Sequence, residues 1–149
     1  MSDVRVVGER LHNRQFVVGR ALHRIGGDWK SLTLSNGWTL SYCPNLRVRT
    51  CAGRDGRTIV LIGHAFQADP ARPPVEEVLR GARGEDFVDE SYTWAGRWVL
   101  IRDDTVVGDF SNSLGVFYCR DHGEMLISSS LALIDRISPG RRLVRRPIG

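Results

Sequence analysis

The chain is poor in the features that mark secreted, membrane-spanning or metal-built proteins. It has three cysteines, Cys43, Cys51 and Cys119, and no C-x-x-C pair. Its histidines, His12, His23, His64 and His122, are scattered without an H-x₃-H spacing. Tetrahedral zinc needs soft ligands that close locally, so no metal and no cofactor is expected. An odd number of thiols without a secretion signal fits small buried hydrophobes in a cytoplasmic protein. Arg5, Glu9 and Arg10 stand where a signal peptide would need an apolar stretch. The longest apolar run, Ile59 to Ile62, is far below the roughly 20 residues of a membrane-spanning helix. Nucleotide and serine-hydrolase signatures are missing as well: there is no G-x-x-x-x-G-K-[ST] and no G-x-S-x-G. Ser128-Ser129-Ser130 reads instead as a strand end entering a serine-capped helix.

With 42% hydrophobic and 26% charged residues in 149, the composition is that of a globular domain, which excludes disorder. The net charge of +4 lies wholly in Arg141, Arg142, Arg145 and Arg146; before them 17 cations balance 17 acids. A basic end after a neutral domain lacks the folded basic stripe of a nucleic-acid binder. One domain over residues 1–140 is expected, with 141–149 a basic tail or linker start.

Turn signals divide the chain into hairpins. Ser31–Leu34 and Trp38–Tyr42 flank Asn36-Gly37, and Leu46–Cys51 and Thr58–Ile62 flank Arg54-Asp55-Gly56. Trp98–Ile101 and Thr105–Val107 flank Asp103-Asp104, and Val116–Cys119 and Glu124–Ser128 flank Asp121-His122-Gly123. Prolines 73 and 74, with Val75, Val78 and Leu79 at helical spacing, predict a short amphipathic helix. Residues 85–92 and 131–137 predict two more. Many antiparallel strands with few, segregated helices make the class α+β, without βαβ units.

The order of these segments carries a resemblance. His23-Arg-Ile-Gly-Gly-Asp-Trp29 is followed by Thr58-Ile-Val-Leu-Ile-Gly-His-Ala-Phe-Gln67, read as a hydrophobic strand ending at Gly63 and then a polar loop, by the strand Gly96-Arg-Trp-Val-Leu-Ile101, the stretch Val107-Gly-Asp-Phe-Ser-Asn-Ser-Leu-Gly-Val-Phe-Tyr-Cys119 and Met125-Leu-Ile-Ser-Ser-Ser-Leu-Ala-Leu133. The succession resembles the glutaminase domain of class II glutamine amidotransferases, as in the N-terminal half of asparagine synthetase-like proteins. The resemblance implies a four-layer αββα sandwich of the N-terminal nucleophile hydrolase type. It also implies a terminal cysteine nucleophile, an Asn side chain and a Gly amide for the oxyanion, and an Arg and an Asp for the glutamine.

Those side chains are missing. The chain begins Met1-Ser2-Asp3, and Ile62-Gly63-His64 stands where the family has Asn-Gly-Glu. Isoleucine donates nothing to an oxyanion, although Gly63 is expected to keep its backbone donor. The segment for the substrate arginine reads Tyr42-Cys43-Pro44 with Arg47 and Arg49 nearby, and Tyr92-Thr93-Trp94 replaces the aspartate. The implied function is a degenerate, non-hydrolytic domain, a scaffold or accessory to an ATP-dependent asparagine synthetase-like module. The alternatives are an amidohydrolase using Ser2, or Cys43 or Cys51 beside His64, and a small-molecule or peptide module in the old pocket. Ile62, Gly63, His64, Gly96, Arg24 and Arg47 are the candidate pocket residues. Any partner-binding energy is expected from helix faces around Val75 to Leu79 and from Trp94, Trp98 and Phe117 where they are exposed, with Trp98 in its strand read as core.

Overall fold

The computed structural model describes residues 14–20, 27–84, 86–103, 105–109, 111, 113–121, 124–138 and 144–145. The class is α+β, mostly antiparallel strand, in two sheets and with few helices. The chain clusters into two compact units, one from residues up to Leu46 and from Gly115 onward, the other from Arg47–Leu114.

The first unit is a six-stranded sheet. Its strands are β1 (Phe16–Gly19), β2 (Lys30–Thr33), β3 (Thr39–Tyr42), β8 (Phe117–Asp121), β9 (Glu124–Ser128) and β10 (Val144–Arg145), ordered β10-β8-β9-β1-β3-β2. Asn36-Gly37 closes β2 onto β3 as its turn chemistry demands: Gly37 takes φ +87°, and Asn36 Oδ1 accepts from the Trp38 amide at 3.0 Å. β1 is buried throughout and pairs with both β3 and β9, Val18 facing Leu40 on one side and Ile127 on the other. The helix α3 (Leu131–Ile137) follows β9, and Ser130 caps it by accepting from the Leu133 amide at 3.3 Å. Ser128 Oγ donates to the Phe16 carbonyl at 2.8 Å, so the serine triplet closes a strand and starts a helix.

Within the expected tail or linker start over 141–149, the described residues Val144–Arg145 pair antiparallel with Tyr118 and Phe117. The pairing takes up backbone groups along the outer edge of β8.

The second unit has four strands in the order β4-β5-β6-β7: β4 (Val48–Ala52), β5 (Thr58–Gln67), β6 (Trp94–Arg102) and β7 (Thr105–Gly108). Alternation sorts their side chains. Ile59, Leu61, Trp94, Trp98, Leu100 and Val107 pack against Val75 and Leu79 of α1 (Val75–Gly81) and Phe87 of α2 (Asp86–Ser91). Trp94 and Trp98 meet edge to face, ring centres 5.6 Å apart. The other face carries Val60, Ile62, Val99 and Ile101, all buried as well. β5 and β6 overrun the strands expected from the sequence, pairing from Val60↔Ile101 out to Gln67↔Trp94. Among the described residues, no helix is long and apolar enough to cross a membrane.

Candidate functional site

The far half of the β5–β6 ladder differs from the near half. Up to Ile62 and Val99 both faces are buried; beyond them His64, Phe66 and Arg97 are exposed on the face away from the helices. Gly63 and Gly96 bracket the His64–Arg97 pair, with φ of +85° and +109°. A Cβ on Gly63 would stand 2.2 Å from the Arg97 carbonyl oxygen, and one on Gly96 would stand 2.1 Å from that of His64. Only glycine permits this close approach of two backbones.

The Gly63 amide donates to the Arg47 carbonyl at 2.8 Å, extending the β4–β5 pairing by one step. The donor that Gly63 was expected to keep is therefore committed within the sheet. The preceding side chain, Ile62, is fully buried and aliphatic.

Arg47 turns its side chain to the same place, Nη1 lying 2.8 Å from His64 Nδ1. A guanidinium can only donate, so Nδ1 is the acceptor and the ring proton sits on Nε2. Arg97 lies directly opposite His64 and donates through Nη2 to the Ser113 carbonyl at 3.2 Å. Among the described residues, neither Arg47 nor Arg97 pairs with a carboxylate.

The loop that receives Arg97 is built on Asp109. Its buried carboxylate accepts from the Trp98 amide at 3.0 Å, from the Ser111 amide and hydroxyl at 3.0 and 2.8 Å, and from the Ser113 amide and hydroxyl at 3.2 and 2.8 Å. Burial pushes this carboxyl up. The hydrogen bonds from the Ser111 hydroxyl, the Trp98 amide and Ser113 together outweigh burial and hold it below the ordinary aspartate value.

The chain matches no known protein family, no curated protein and no solved structure.

Of the residues singled out from the sequence, the structure brings Arg47, Gly63, His64 and Gly96 together, with Ile62 turned into the interior beside them. Ser2 and Arg24 lie outside the described residues. Cys51 is not brought to His64. It pairs with Ile59, five residues or about 17 Å back along β5, and faces the helices. There it lines a cavity of about 230 Å³ with Arg49, Glu76, Leu79 and Arg80. Burial raises the Cys51 thiol, and it raises that of the deeply buried Cys43. Val75, Leu79 and Trp94, expected as partner surface if exposed, are buried in the core between this sheet and its helices, and Trp98 is core as its place in the strand implies. Among the described residues, no group of three or more His, Cys, Asp and Glu is arranged to hold a metal ion.

Arg97 and Asp109 were not foreseen as site residues. The Asp-x-Ser-x-Ser spacing of 109–113 is a legible loop signal, because short polar side chains fold back on nearby amides. Nothing local reveals Arg97, whose partner across the ladder lies 33 positions earlier in the chain.

Proposed function

We propose that this chain is a non-hydrolytic, glutaminase-like domain acting as a scaffold or accessory beside an ATP-dependent, asparagine synthetase-like amide-forming module. The observation that carries the reading is the double loss at the oxyanion position. Ile62 offers a buried methyl group, and the Gly63 amide is already bonded to the Arg47 carbonyl at 2.8 Å. Each missing oxyanion donor costs about 3–4 kcal/mol of transition-state stabilisation, on the order of 10²–10³ in rate. Two antiparallel sheets, with helices on one face of the four-stranded sheet and burial on its other face, support a four-layer αββα sandwich.

A glutamine assay tests the first half: no ammonia is released, and Ser2→Ala changes nothing. Ammonia release abolished by Ser2→Ala or Cys51→Ala would replace the reading with an active amidohydrolase. Co-purification with an asparagine synthetase-like protein tests the second half, and a strictly partnerless monomer would defeat it. A second reading, a small-molecule-binding module at the same strand ends, draws support from the exposed Arg47, His64 and Arg97.

A further inference from the structure

Arg47, His64 and Arg97 present hydrogen-bond donors on one exposed face of the β5–β6 ladder. With Nδ1 of His64 taken by Arg47, the ring keeps an Nε2–H to donate, so the cluster combines two guanidiniums and an imidazole donor. Both guanidiniums lack a carboxylate partner among the described residues, and each is steadied from one side, Arg47 by His64 and Arg97 by the Ser113 carbonyl. A cation whose side chain is already ordered loses less freedom when a ligand arrives.

The charge pattern selects the ligand class. A free amino acid brings an ammonium group as well as a carboxylate, and the cluster gives that ammonium only donors and positive charge. A dianion meets no such conflict. A phosphate monoester carries about −1.5 to −2 charges at pH 7 and three acceptor oxygens, matching two arginines and an imidazole N–H. Phe66 stands two positions beyond His64 on the same face, 56% exposed. An aromatic ring left open at that distance offers an apolar surface to whatever the phosphate is attached to.

We propose that Arg47, His64 and Arg97 form a binding site for a small phosphate monoester whose apolar or aromatic part rests on Phe66. This rests on the binding-module reading and names its ligand class.

Titration calorimetry of the full chain with phenyl phosphate and with inorganic phosphate, at low ionic strength, tests it. Phenyl phosphate should bind more tightly than inorganic phosphate, and Phe66→Ala should erase that preference. Arg47→Ala and Arg97→Ala should each weaken binding by about tenfold or more, as loss of a charge-assisted contact does. Arg54→Ala, removing an exposed cation from the β4–β5 turn, should change neither affinity. Thermal melts of all variants confirm folding, since every substituted side chain is exposed. Equal weakening by Arg54→Ala would mean diffuse charge attraction and would overturn the site. So would no saturable binding of phenyl phosphate at about 10 mM, well above the range of a useful small-ligand site. In that event, stabilisation by amino acids or short peptides would remove only the phosphate class, whereas no stabilisation by either would remove the binding-module reading as well.

Discussion

Gly63 and Gly37 share a positive φ, +85° and +87°, in very different surroundings. A Cβ on Gly37 meets nothing within 4 Å, whereas one on Gly63 falls 2.2 Å from the Arg97 carbonyl oxygen and 3.0 Å from Leu114 Cδ1. Substituting alanine at each position separates conformational strain from steric clash. At Gly37 the left-handed backbone costs about 1–2 kcal/mol, partly offset by the stiffer unfolded chain, a net loss of about 1 kcal/mol. Gly63→Ala also forces a side chain onto a positive φ and must push a strand backbone aside as well, adding about 1–3 kcal/mol. The expected loss is therefore about 2–4 kcal/mol, a large share of the stability of a small domain. In urea, with a slope of about 1–3 kcal/mol per molar, the midpoint should fall by roughly 1–2 M for Gly63→Ala and about 0.5 M for Gly37→Ala. Fluorescence of the four tryptophans provides the signal. Gly96→Ala should behave like Gly63→Ala, since its Cβ meets the His64 carbonyl oxygen at 2.1 Å. Because both clashes force apart the same stretch of ladder, the double variant should cost less than the sum of the singles. Equal midpoint shifts for Gly63→Ala and Gly37→Ala would refute the close approach of β5 to β6 at His64.

Asp109→Asn turns one acceptor oxygen into a donor, and whichever oxygen is replaced, a backbone amide loses its partner. A cost of about 1–3 kcal/mol is expected in thermal or urea unfolding, and a neutral outcome would discredit the Asp109 network. Asp55, Glu76 and Asp109 all have carboxyls held below their ordinary values, Asp55 first by the Arg57 amide and Glu76 first by its own amide. The unfolded chain therefore binds more protons in acid, so their contribution is complete above about pH 4–5 and fades as pH falls through the lower folded values. Urea midpoints that stay level down to about pH 3 would contradict this. Burial raises the Cys43 and Cys51 thiols, so native protein near neutral pH should alkylate slowly with iodoacetamide, the half-buried Cys51 ahead of Cys43, and quickly in urea. Fast labelling of Cys43 in the folded protein would show its burial to be wrong.

All four hairpins were legible in the sequence because a tight turn is local chemistry. Asn36-Gly37 and Gly56, at φ +79°, need only their own few residues to reverse the chain. The same holds for α1, which starts behind its prolines and hides Val75 and Leu79, and for Ser130 as a helix cap. Gly63, His64, Gly96 and Arg47 could be singled out one by one only through the resemblance, as positions aligned with its pocket. Only the tertiary structure decided what they do. β1 lies between β3 and β9 through pairings that span up to 111 positions, and β5 meets β6 only after the two-helix excursion between them. Strand partners at such separations are chosen by which faces bury together, not by any signal in the strands' own residues. That choice spends the Gly63 amide on Arg47, turns Ile62 inward and sets Arg97 opposite His64. A list of residues shows a donor at Gly63; the folded sheet has already used it.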